Sequence, residues 1–126
     1  VNSGCAHKLS PAEIAAYDAP YPSSRHLVAA RLFPGFVPTT PKDPERAANE
    51  HAWEILMRWN KPFLTLFSSR DPITRGGEKI FQKRVPGAAG QPDETTRGAG
   101  HFLQEDKGPE LAQKISAFIA TTPVTP

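Results

Sequence analysis

The amino-acid sequence predicts an α/β fold, in which parallel strands are joined by crossover helices. In the second half, a nearly continuous apolar run at 62–67 is typical of a strand buried on both faces. A helical segment at 78–83 follows, then a weaker strand at 94–97 and a last helix that opens at Gly108-Pro109-Glu110. The order strand, helix, strand, helix is the repeating unit of a parallel sheet. Further strands of that sheet are expected upstream of this sequence, because two strands cannot bury their faces alone.

Short helices separated by prolines are predicted in the first part of the chain. Ser10-Pro11-Ala12-Glu13 combines a capping serine, a proline at the first helical position and a glutamate that can close the capping box. A second helix opens at Ser23 or Ser24, and a third opens near Asp43, where the aspartate is expected to cap it. Apolar residues recur at helical spacing in the third and predict a buried face: Ala52, Ile55, Leu56 and Trp59.

Composition excludes several classes of function. A net charge of +2 with scattered acidic and basic residues argues against a nucleic-acid or membrane surface. The longest apolar runs are about six residues, which is too short to span a bilayer. The four histidines lack ligand-like spacing, so no metal is expected. A single cysteine fits a reducing compartment, which favours a cytoplasmic location.

Asp71 and His101 are the candidate catalytic residues. Asp71 follows the first predicted strand and His101 follows the second. Catalytic groups of open parallel sheets gather at the carboxyl ends of the strands, so the two side chains are expected to be neighbours. A carboxylate that accepts the ring N–H of a histidine fixes its tautomer, and the other ring nitrogen can then deprotonate water or a nucleophile.

The sequence around each candidate residue resembles a known family. The stretches in question are Gly98-Ala99-Gly100-His101-Phe102-Leu103-Gln104-Glu105-Asp106 and Pro62-Phe63-Leu64-Thr65-Leu66-Phe67-Ser68-Ser69-Arg70-Asp71-Pro72-Ile73. The first resembles the histidine motif of haloalkane dehalogenases, and the second is similar to the segment that holds their catalytic acid. Tyr17-Asp18-Ala19-Pro20-Tyr21-Pro22 and Arg31-Leu32-Phe33-Pro34 resemble the end of that family's helical cap. The resemblance implies the carboxy-terminal part of an α/β-hydrolase fold, with residues 1–38 as the end of the cap and 39–126 as part of the core.

The resemblance also implies roles for individual residues. Asp71 would orient His101, and His101 would activate the water that hydrolyses an alkyl-enzyme ester. That ester would form when an aspartate displaces halide from a small apolar halogenated substrate, with no cofactor, in a longer protein that is a monomer. Residues that fall where the family lines its substrate pocket, or next to the acid, are Phe33, Pro34, Val37 and Ile73. Phe33 and Val37 are equally compatible with simple core packing.

The sequence departs from the family in one large respect. None of its 126 residues forms a nucleophile elbow of the G-x-[SD]-x-G kind. We therefore expect an enzyme fragment without its nucleophile, catalytically silent by itself. Two alternatives stay open: a fragment of an epoxide hydrolase, which shares the aspartate, histidine and acid, or a non-catalytic truncated paralogue that acts as a binding module through an exposed strand edge.

Overall fold

The computed structural model describes residues 2–122, so Val1 and residues 123–126, the outer ends of the two predicted domains, lie outside the described residues. The α-helices within this range are α1 (Pro11–Asp18), α2 (Val28–Leu32), α3 (Arg46–Leu56), α4 (Glu78–Arg84) and α5 (Leu103–Thr121). Short 3₁₀ helices lie at Asn2–Gly4, Ser24–Leu27, Phe33–Phe36 and Pro86–Ala88. None of the helices in the described part of the chain is long and apolar enough to cross a membrane.

The chain divides into two compact units. One unit combines the residues up to Leu9 with those from Arg58 onward, and the other is Ser10–Met57. The buried apolar side chains all lie in the first unit: Leu9, Val85, Ala88, Ala99 and Leu111. Within Ser10–Met57, by contrast, no residue is fully buried. The core that supports the predicted catalytic residues is therefore built in the first unit.

The capping prediction for α1 is confirmed. The Ser10 hydroxyl accepts the Glu13 N–H, and the Glu13 carboxylate accepts the Ser10 N–H, which completes the capping box. Pro11 occupies the first turn, where its missing N–H would have no partner within the helix.

The predictions for α3 are wrong in two details. Asp43 does not cap α3; its carboxylate instead accepts the N–H groups of Thr39 and Thr40, and so closes the preceding loop. The predicted buried face is not formed: Ala52 is exposed, Ile55 is 47% exposed and Leu56 is only half-buried. Trp59 lies beyond the end of α3 and keeps 39% of its surface exposed. The Trp59 carbonyl accepts the Gly87 N–H, so a backbone hydrogen bond ties the residues that follow α3 to the loop at Gly87.

The two predicted strands are not assigned as strands in the range that the structure describes. In the described residues, the two segments are paired by an isolated parallel bridge between Thr96 and Ser68, which lies just after the first segment. Two hydrogen bonds form it: the Thr96 N–H donates to Phe67 O at 2.8 Å, and the Ser69 N–H donates to Thr96 O at 3.0 Å. A ladder needs consecutive paired residues, whereas the Phe63 N–H is directed to Gly87 O instead. The parallel direction of the pairing agrees with the prediction, and its length does not.

The last helix begins earlier than predicted. It starts at Leu103 and contains a kink at Lys107, where φ is −142° and ψ is 31°. Pro109 lies two residues later. Proline has no backbone N–H to donate to the helix, and its ring crowds the carbonyl four residues before it. The predicted start at Gly108 therefore marks the second part of the helix, and the sequence offered no cap for the first turn at 103–106.

Candidate active site

Hydrogen bonds around the Ser68–Thr96 bridge bring the turn before Asp71 beside the loop that carries His101. The Arg70 N–H donates to Ala99 O at 3.1 Å. The buried Ser68 hydroxyl donates to Gly100 O at 2.6 Å. These bonds join residues about thirty positions apart, and one is buried, so the two loops are held in one arrangement.

Asp71 and His101 are in direct contact. The His101 Nδ1 atom lies 3.1 Å from each carboxylate oxygen of Asp71. The Asp71 side chain is 4% exposed, whereas 36% of the His101 side chain is exposed. A buried carboxylate thus faces one edge of an imidazole that solvent still reaches.

The environment of Asp71 keeps its carboxylate ionised. Burial by itself would raise the pKa of Asp71, but hydrogen bonds from the Thr74 hydroxyl, the Ile73 N–H and the His101 ring outweigh it and hold that pKa well below its usual range. The Ile73 N–H donates to Oδ1 at 2.8 Å, and the Thr74 hydroxyl donates to Oδ2. An ionised carboxylate can only accept, so the shared proton must reside on His101 Nδ1.

This arrangement defines what His101 can do chemically. With Nδ1 protonated, the neutral imidazole presents a lone pair at Nε2, which no protein group among residues 2–122 binds. Such a nitrogen can take a proton from water, and the carboxylate on the other side stabilises the imidazolium that results. The pair has the geometry of the acid and base of a hydrolytic triad.

A second buried carboxylate, Asp106, supports the same loop and was not among the predicted site residues. Its Oδ2 accepts the Gly100 N–H at 2.7 Å and the Ala6 N–H at 2.8 Å. Its Oδ1 accepts the His7 N–H at 3.2 Å and lies 2.5 Å from His7 Nδ1. Burial opposes ionisation, but these donors outweigh it and lower the pKa of Asp106 to about 2. The sequence signal for this residue is slight, because an acid in a first helical turn is common.

The predicted pocket residues are divided between the two units. Ile73 belongs to the same unit as Asp71 and His101; it is 74% exposed and lines an open pocket of about 650 Å³ with Phe67 and Phe81. The other three belong to Ser10–Met57, where Phe33 is 74% and Val37 is 62% exposed and Pro34 is also exposed. In the described residues, no three histidine, cysteine, aspartate or glutamate side chains are grouped as metal ligands.

Comparison with known proteins gives the chain its relatives. No protein-family model matches it. It is 48% identical over 123 residues to a haloalkane dehalogenase of Psychrobacter cryohalolentis, an alignment that covers 98% of this chain and 41% of the relative. Haloalkane dehalogenases of Mycobacterium marinum (49% over 118 residues; 94% and 39% covered) and Mycobacterium bovis (46% over 122 residues; 97% and 40% covered) match similarly. The chain spans about two fifths of the length of these curated relatives. By sequence, the chain is a homologue of the haloalkane dehalogenases and corresponds to the carboxy-terminal portion of that family.

Proposed function

We propose that this chain supplies the acid and the base of an enzyme that hydrolyses carbon–halogen bonds. The contact between Asp71 and His101 carries the proposal, since it joins a buried ionised carboxylate to an imidazole across 30 residues of sequence. Homology to haloalkane dehalogenases supplies the reaction. In this proposal, residues 1–38 end a helical cap, and 39–126 belong to an α/β-hydrolase core.

The proposed reaction has two steps, and this chain acts in the second. An aspartate from outside these 126 residues displaces halide and forms an alkyl-enzyme ester. His101 Nε2 then takes a proton from water, and the water oxygen attacks the ester carbonyl. The ester bond breaks, the departing alkoxide takes the proton back from the His101 imidazolium and leaves as the alcohol, and the aspartic acid loses its proton to solvent and is restored as a carboxylate. Asp71 stabilises the imidazolium during this step, which is the role of the third member of a triad.

Apolar side chains are proposed to receive the substrate. Ile73 lies two residues after the acid and lines an open, largely apolar pocket, which suits a small apolar halogenated molecule. Phe33, Pro34 and Val37 are also proposed as substrate-binding residues of the longer protein. The only other reactant is water, no cofactor takes part, and we expect the longer protein to be a cytoplasmic monomer.

A chimera tests this proposal. The chain replaces the aligned 123 residues of the Psychrobacter cryohalolentis dehalogenase, and halide release from a short haloalkane is measured. We expect turnover from the chimera and none from the 126-residue chain alone, because a triad without its nucleophile retains little activity. The His101→Gln variant should lose steady-state turnover. Sustained halide release by that variant, or by the isolated chain, would refute the assignment.

A further inference from the structure

We propose that Asp106 is a positioning residue, whose buried carboxylate holds the Gly100–His101 loop against the segment Gly4–His7 and so sets the orientation of the His101 ring. The inference rests on the proposed function, because it assigns His101 the role of base. Asp106 touches neither Asp71 nor the His101 ring in the described contacts, so it acts through the backbone.

The hydrogen bonds of Asp106 converge on the residue immediately before His101. Its side chain is 2% exposed, and its two oxygens accept backbone N–H groups from Gly100, Ala6 and His7. The Gly100 bond is the shortest of these, at 2.7 Å. A carboxylate that accepts several backbone N–H groups makes charge-assisted hydrogen bonds, which are roughly twice as strong as neutral ones.

The backbone of the loop packs closely against the backbone of the segment. A Cβ atom on Gly100 would lie 2.5 Å from Gly4 O and 3.0 Å from the Ala6 nitrogen. The Phe102 N–H donates to Gly4 O at 3.1 Å, and the Phe102 ring packs edge-on against the His101 ring with centroids 5.1 Å apart. His101 therefore lies between two backbone anchors, one at Gly100 and one at Phe102, and both face Gly4–His7.

The Asp106→Asn substitution addresses this role directly. Asparagine has one acceptor oxygen, so its amide NH₂ must face backbone N–H donors on one side. We expect release of the Gly100 N–H and rotation of the His101 ring away from Asp71. The readout is the ¹⁵N and proton spectrum of the imidazoles in the labelled 126-residue chain. Loss of the His101 Nδ1–H signal is expected, with both ring nitrogens shifted toward an averaged tautomer.

Two matched variants separate positioning from general effects. Asp93→Asn removes the same charge at an exposed site, and Leu111→Ala destabilises the core of the same unit. Both should keep the His101 Nδ1–H signal, because the carboxylate that accepts the Gly100 N–H is left in place in each. If Asp106→Asn does not fold, judged by circular dichroism, Asp106→Glu keeps the charge but moves the acceptors, and the same loss of signal is expected.

The outcomes distinguish this inference from the function on which it rests. A His101 Nδ1–H signal that persists in either folded Asp106 variant overturns the positioning role, and the proposed function then survives if Asp71→Asn abolishes the signal. A signal that survives Asp71→Asn overturns the acid–base pair itself. In the active chimera, Asp106→Asn should lower kcat on the order of 10²-fold with little change in KM, since a shift of about 1 Å in a catalytic group has that effect.

Discussion

Replacing Asp71 by asparagine should separate the two steps of the proposed reaction. The carboxylate uses Oδ1 for the Ile73 N–H and Oδ2 for the Thr74 hydroxyl, and both oxygens lie 3.1 Å from His101 Nδ1. An asparagine oxygen would stay with the Ile73 N–H, because that donor cannot reverse. Its NH₂ group would then replace Oδ2 and donate to His101 Nδ1. The proton of the imidazole would move to Nε2, the nitrogen that must accept a proton from water.

The expected loss is large and confined to hydrolysis of the ester. Substituting asparagine for a triad aspartate lowers kcat by about 10⁴-fold through this wrong tautomer, which is roughly 5 kcal/mol of transition-state stabilisation. Displacement of halide needs no base, so rapid mixing of the Asp71→Asn chimera with substrate should give a burst of one halide per active site. The ester should then accumulate and be detectable by intact mass.

The exposed variant Asp93→Asn is the control, and it should turn over like the unsubstituted chimera. Steady-state halide release by Asp71→Asn within about tenfold of the unsubstituted rate would refute the reasoning. An imidazole in the wrong tautomer cannot lower the activation barrier of ester hydrolysis almost as much as one in the right tautomer. A slow rate without a burst would also contradict it, since the defect would then lie before the ester forms.

Three further predictions concern stability. The pKa of Asp106 is lowered to about 2, so its carboxylate stabilises the folded state above about pH 4, and roughly 2 kcal/mol of the free energy of unfolding is lost as the pH falls toward 2. The urea concentration at the unfolding midpoint should therefore drop over this pH range in the unsubstituted chain, and it should change less in Asp106→Asn. Gly87→Ala would place a Cβ 1.8 Å from Lys61 O and should lower stability by about 3 kcal/mol or more, whereas Gly108→Ala meets open space and should not destabilise; equal melting temperatures would contradict this. Ser68→Ala removes a buried hydroxyl donor to the histidine loop and should lower the free energy of unfolding by about 1–3 kcal/mol, and a change near zero would show that this bond does not hold the loop.

Local signals in the sequence were sufficient where neighbours along the chain decide the structure. The α1 cap follows from Ser10 and Glu13, because both partners lie within one helical turn. α4 lies where its periodicity predicts it. The pairing of Asp71 with His101 was also predicted, since residues at the ends of adjacent parallel segments meet at one edge. The catalytic role proposed for the pair came from resemblance to a family, and the chain is homologous to members of that family, the haloalkane dehalogenases.

Tertiary structure decided the features that depend on groups distant in sequence. Asp106 binds backbone N–H groups about one hundred residues away, and nothing in its neighbours predicts that partner. Asp43 resembles a helix cap in sequence, but two closer N–H groups compete for its carboxylate. The sequence by itself therefore predicted which residues are candidates for the chemistry and in what order they occur, because their types and spacing are local. The packing of distant backbone determined the 3.1 Å contact and its anchoring, because hydrogen bonds form only where folding brings donor and acceptor together.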